Sequence, residues 1–181
     1  MADGLFEAPL ERKYSGPGVD VELQDTQIEG YASVFGVCDQ SGDVVSKGAY
    51  TRCLKHLAAS GRKVRMLWQH DQGKPIGVWD EIREDAKGLF VRGRLLPEVQ
   101  QGREAMALLE AGAIDGLSIG YRTKRAERGV DGGRTLMEVD LWEVSLVTFP
   151  MLPEARVQAG DDTAVVHDLA EAFTAARQLL A

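Results

Sequence analysis

Ser118 lies in the stretch Gly116-Leu117-Ser118-Ile119-Gly120, a small hydroxyl between two apolar residues with a glycine two positions away on either side. A serine hydroxyl is a weak nucleophile. It needs a base within hydrogen-bond reach, normally a histidine that a third group orients. The chain has three histidines, His56, His70 and His167. His56 sits among basic residues of an expected helix and His167 in a tail helix, positions that suit solvated side chains. His70 is different: it follows the apolar run VRMLW where a loop begins and a side chain faces a cleft. A lone histidine is structural more often than catalytic, so a companion must support it.

The other serines compete for the nucleophile's role. Ser15 lies in a Pro/Gly-punctuated stretch, Ser41 and Ser60 have turn neighbours, Ser46 suits a helix cap, and Ser33 and Ser145 read as small strand hydroxyls. At Ser118, alternation sends Leu117, Ile119 and Tyr121 to the core and leaves Ser118 and Gly120 on the other face, with backbone that a peptide could approach closely. A small-residue strand beneath a helix has the same pattern. For the third group, LMEVDLWEVSLVTF places Glu143 on one face with Val139, Leu141, Val147 and Phe149. A carboxylate on an apolar face is costly unless paired, and the imidazole of His70 would pair it. A bulge near Trp142 would instead turn Glu143 to water, leaving Asp140 and Asp71 as the alternatives. No cysteine pair or His-x-x-x-His has ligand spacing, and no glycine-rich loop leads into a Lys-Ser or Lys-Thr helix start, so neither metal nor cofactor is expected.

These side chains need strands to hold them. Ile28 to Phe35 alternate as a strand, turn residues follow at Asp39, Ser41, Gly42 and Asp43, and residues 47–59 suit a helix with Tyr50, Leu54, Leu57 and Ala58 on one side. Val64, Met66 and Trp68 mark another strand, followed by an expected turn at Gly73-Lys74-Pro75. Residues 76–82 and 88–96 read as a hairpin. Residues 98–111 read as a helix stopped by Gly112. The serine strand, a polar loop at 126–134 and a long strand over 136–149 follow. The tail from Asp161 carries an apolar stripe of Leu169, Phe173 and Leu180, an amphipathic helix. The expected division is an N-terminal arm over 1–18, a β-domain over 19–160 and a tail helix over 161–181.

Composition bounds the function. With 181 residues, 44% apolar and 27% charged, the chain suits one globular domain. Its net charge of −7, from 28 acidic and 21 basic residues, disfavours nucleic acid and anionic membrane as partners. No apolar run nears the ~20 residues of a membrane span, and acidic residues at the N-terminus do not suit a secretory signal. A cytoplasmic setting is expected, with Cys38 and Cys53 as reduced thiols.

In order, IEGYASVFGVCDQSGDVVSKGAY, VRMLWQHD with IGVW, GLFVRGRL, LLEAGAIDGLSIGY and LWEVSLVTFPMLPEARV resemble the tailed-phage prohead proteases, capsid-maturation serine proteases distantly similar in fold to herpesvirus assemblins. A capsid protease of a phage-derived gene transfer agent would fit equally. The resemblance implies a mostly β fold with peripheral helices, a closed or nearly closed antiparallel barrel of about seven strands. It also implies a serine endopeptidase, with His70 as general base, Ser118 as nucleophile, and Glu143 where assemblins carry a second histidine. The assemblins' arginine-rich loop corresponds to Thr148-Phe149-Pro150-Met151-Leu152, which lacks arginine, so backbone N–H groups near Met151 and Leu152 would form the oxyanion hole. The implied substrates are the major capsid protein and a scaffold segment, cleaved inside the assembling procapsid in the host bacterial cytoplasm. A homodimer or higher oligomer stays open. The rivals are a non-catalytic capsid-assembly or scaffolding barrel and a metal hydrolase using His70-Asp71.

Overall fold

The computed structural model describes residues 11–14, 22–24, 26–129 and 132–149, the first two stretches by their backbone path. Nine strands and two helices are assigned: β1 Glu11–Tyr14, β2 Glu22–Gln24, β3 Gln27–Val34, β4 Val44–Val45, α1 Thr51–Ser60, β5 Arg65–Trp68, β6 Asp71–Glu84, β7 Gly88–Leu95, α2 Gln100–Glu110, β8 Gly116–Arg128 and β9 Arg134–Val147. The expected tail helix over 161–181 and the boundaries at 18/19 and 160/161 lie outside the described residues. Within the stretch read as an arm, residues 11–14 form β1.

All nine strands join one sheet, in the order β1-β8-β9-β5-β6-β7-β3-β2, with β4 beside β9. The architecture is mostly β with peripheral helices, as expected, but the closed barrel is corrected to an open one. The path has two ends. β3 comes close to β8, yet β8 spends its outer edge on β1 and β3 spends its own on β2, so no ladder joins them among the described residues. Pairing is antiparallel except for β4 and β5 against β9, which are parallel. The turn before β4 is built by Asp39, whose Oδ1 accepts the N–H groups of Ser41 and Asp43, each at 2.9 Å. Asp43 in turn accepts from the Arg134 backbone N–H and guanidinium, tying the turn to the start of β9.

The core follows the strand pattern. Ile28, Met66, Ile76, Leu89, Ile119, Leu136, Leu141 and Leu146 are buried. From outside, α1 adds Cys53 and Leu57, and α2 adds Ala105 and Leu109. The inward face of α1 therefore uses Cys53 where Ala58 was expected, and Ala58 is exposed. Left-handed glycines follow both helices, Gly61 at φ 66° and Gly112 at φ 65°. No described helix is long and apolar enough to cross a membrane.

Cys38 is exposed and Cys53 buried, and neither forms a disulfide. Burial pushes the Cys53 thiol up to about 11, so at pH 8 only about one part in a thousand is thiolate. Iodoacetamide at that pH is expected to modify Cys38 and to leave Cys53 at least tenfold slower until denaturant is added; peptide mapping by mass spectrometry reads both rates.

Candidate active site

His70 is carried by a two-residue turn between β5 and β6. Trp68 of β5 pairs with Asp71 of β6, so Gln69 and His70 are the two central residues of the hairpin. Both have positive φ, 52° and 61°, as a two-residue hairpin of the primed type requires. The expected turn at Gly73-Lys74-Pro75 is corrected: those residues lie inside β6. Sequence reasoning misses the real turn because the usual Asn-Gly is replaced by Gln-His. A side chain in the left-handed region costs roughly 1–2 kcal/mol per residue, so other contacts must hold the turn. The Gln69 N–H donates to Leu146 O at 2.9 Å. The Gln69 side chain donates to Thr148 Oγ1 at 2.6 Å, and the His70 N–H donates to Ser145 Oγ at 3.2 Å. Each contact reaches β9 or its end.

Ser118 and Glu143 come from the β8–β9 ladder. Ser118 pairs with Ser145, Gly120 with Glu143 and Tyr121 with Leu141, which leaves Trp142 as an extra residue on β9. This bulge reverses the facing of everything after it. Leu141 stays in the core opposite Tyr121, while Glu143 moves to the face of Ser118 and Ser145. The expected sharing of a face by Glu143, Val139 and Leu141 is thereby corrected; Val147 does remain with Glu143, and Phe149 is exposed. Nor does the bulge turn Glu143 to water, since the residue is buried. Gly120 has a use that the sequence did not reveal. A Cβ there would overlap the Glu143 carboxylate, so the space it clears is filled by Glu143 instead of being left for a peptide.

The three expected residues converge. His70 Nε2 lies 2.6 Å from Ser118 Oγ, and His70 Nδ1 lies 2.5 Å from Glu143 Oε1. Sequence reasoning overlooked a fourth member. The Ser145 hydroxyl donates to Glu143 Oε2 at 2.6 Å while accepting from the His70 backbone, so it joins the turn to the carboxylate. Its position two residues after Glu143 on one strand face was the available signal. Together these bonds satisfy a carboxylate that would otherwise be costly to bury. With Nδ1–H donating to Glu143, Nε2 carries the lone pair and faces the hydroxyl, the tautomer that can take the Ser118 proton.

The alternatives are engaged elsewhere. Asp140 accepts from Trp142 Nε1 at 3.1 Å and pairs with Arg62 at 3.5 Å. Asp71 accepts from the Gly73 N–H at 2.9 Å and pairs with Lys74 at 3.7 Å. His56 lines a surface opening of about 580 Å³ with Arg52 and Lys124, away from the serine. A second opening, about 380 Å³, has His70, Glu143, Leu67, Arg65, Arg122 and Trp142 in its wall. The Arg62 and Arg122 guanidiniums sit 4.8 and 4.5 Å from the Trp142 ring. His167, Met151 and Leu152 lie outside the described residues. Among those described, no group of three or more His, Cys, Asp or Glu is placed to hold a metal ion.

Residues 17–168 match the family model described as caudovirus prohead serine protease. The chain belongs to that family. It is 34% identical over 152 residues to the prohead protease of Enterobacteria phage HK97, a match covering 82% of this chain and 64% of the phage protein, so the chain spans less than two-thirds of that relative. It is also 31% identical over 102 residues to the capsid polyprotein of Pseudomonas phage PAJU2, covering 52% of this chain and 15% of the polyprotein. Among solved structures, the bacteriophage T4 capsid assembly protease superposes with a TM-score of 0.62 at 17% identity, covering 78% of this chain and 98% of that one. At that identity the likeness concerns the fold.

Gly120→Ala should displace the Glu143 carboxylate and destabilise the fold by roughly 1–3 kcal/mol, the usual cost of overpacking. Urea unfolding measures the loss. In parallel, the far-downfield proton NMR signal expected for the His70–Glu143 hydrogen bond should vanish.

Proposed function

We propose that the protein is a serine endopeptidase that cleaves the capsid protein, a scaffold segment or both during prohead maturation, acting inside the assembling procapsid in the host bacterial cytoplasm. The single observation that carries this reading is the unbroken hydrogen-bonded line from Ser118 Oγ through His70 to Glu143, in a chain of the prohead protease family. The names of the relatives supply the substrate class: a prohead protease and a capsid polyprotein.

The chemistry follows from the atoms. Ser118 Oγ attacks the scissile carbonyl as its proton passes to His70 Nε2. The resulting imidazolium is held by Glu143 through Nδ1–H and later returns the proton to the leaving amine. Water then repeats the sequence on the acyl-enzyme, restoring Ser118. Ser145 keeps the carboxylate from turning away from the ring. Cleavage makes assembly irreversible, because the severed segments no longer hold the immature shell together. A scaffolding role without catalysis would need none of this alignment.

Ser118→Ala is expected to abolish processing of the co-expressed major capsid protein while leaving the melting temperature within a few degrees. Continued processing would overturn the assignment. Glu143→Gln should reduce cleavage about 10⁴-fold, the scale seen when a triad carboxylate becomes an amide; full activity would remove Glu143 from the mechanism. Fluorophosphonate labelling of Ser118 that persists in EDTA separates this reading from both a scaffold and a metal hydrolase.

A further inference from the structure

The opening beside His70 and Glu143 does not have Ser118 in its wall, and the serine is enclosed. Ser118 is 0% exposed, Glu143 4% and His70 5%, so a polypeptide cannot reach the hydroxyl unless something moves. β8 has two edges. On one, β9 pairs with it from Gly116 to Arg128, across the bulge at Trp142 and two further register shifts between Thr123 and Ala126. That ladder carries Glu143 and Ser145 and cannot separate without dismantling the site. On the other edge lies β1, four residues long and at the end of the sheet path. Its register is Tyr14 opposite Ser118, Lys13 opposite Ile119, Arg12 opposite Gly120 and Glu11 opposite Tyr121. The strand therefore lines the serine and the three residues after it, position by position.

We propose that Glu11–Tyr14 is a displaceable occupant of the strand position where an extended polypeptide must dock to reach Ser118. The inference rests on the protease reading and goes further, to what the site holds before substrate arrives. A peptide that adds to a sheet edge gains its affinity from main-chain hydrogen bonds. At the serine, the edge that could provide them is the one β1 takes. A short terminal strand belongs to the low-stability end of a fold and opens without global unfolding. As a tethered competitor it acts at an effective concentration of roughly millimolar, so dilute substrate loses to it and concentrated substrate wins. A shell crowded with substrate protein supplies the second condition. Enzyme outside the shell meets the first.

The test uses the full chain with Arg12→Pro and Lys13→Pro together. Successive N–H groups of a strand point to opposite edges, so one of two adjacent prolines removes a bond to β8 in either register. Two quantities are read. The first is the rate of Ser118 labelling by a small fluorophosphonate, followed by mass spectrometry. The second, in a Ser118→Ala background, is the anisotropy of a fluorescent peptide of residues 7–18. The proline pair is expected to speed labelling at least tenfold and to tighten peptide binding at least tenfold, with a melting temperature within a few degrees of the parent. Equal labelling rates and equal peptide affinities overturn the proposal. So does global unfolding of the variant, which would make β1 a permanent part of the fold. If neither protein labels but the proline pair gains peptide binding, the docking strand stands and the serine-protease reading falls.

Discussion

A carboxylate cannot be withdrawn from water without partners for its oxygens, and this constraint on Glu143 organises the centre of the molecule. At 4% exposure the group would be prohibitively costly alone. Here one oxygen meets His70 Nδ1 and the other accepts the Ser145 hydroxyl. The bulge at Trp142 turns Glu143 off the core face, and Gly120 leaves the volume it fills. Remove either and the carboxylate has no place. The imidazole then loses the group that fixes its tautomer.

The other half of the arrangement is a strained hairpin. Two consecutive non-glycine residues with positive φ would relax if the turn were free. They are held because the Gln69 and His70 N–H groups and the Gln69 side chain all bond to β9 or its end. The strand that carries the carboxylate thus also positions the histidine backbone. The parallel pairing of β5 with β9 places them side by side, Arg65 opposite Glu143 and Trp68 opposite Leu146. Ser145 is the junction, bonded to the turn and to the carboxylate at once. Preorganisation of this kind costs local stability and gains alignment before substrate arrives.

On the proposed reading, an aligned yet enclosed line from Ser118 through His70 to Glu143 suits an enzyme whose task is to wait. The relatives take their names from proheads and capsids, settings where early cleavage would destroy the parts before they assemble. A sheet that stays open at β1 provides the means, since an end strand can leave without disturbing the ladder that bears the chemistry. A closed barrel would lack that freedom, because each of its strands is bonded on both sides.

Much of this was legible in the residues. Alternation revealed β3, β5 and β8, helical spacing revealed α1 and α2, and the scarcity of histidines together with glycines around Ser118 singled out two of the site residues. Glu143 does need a partner, as any carboxylate among apolar residues must, but it lies on the strand face opposite to the one that plain alternation gives. Single-residue bulges and left-handed Gln-His turns leave no local mark, so the facing of Glu143 and the position of the hairpin were hidden. So were the part played by Ser145, the parallel neighbours β5 and β9, and the strand at residues 11–14. The sequence by itself determined which side chains could do chemistry and which segments extend or coil, because those properties belong to residue type and short-range spacing. Only the tertiary structure decided which of them meet, since register, bulge and strand order are set by pairings between segments far apart along the chain.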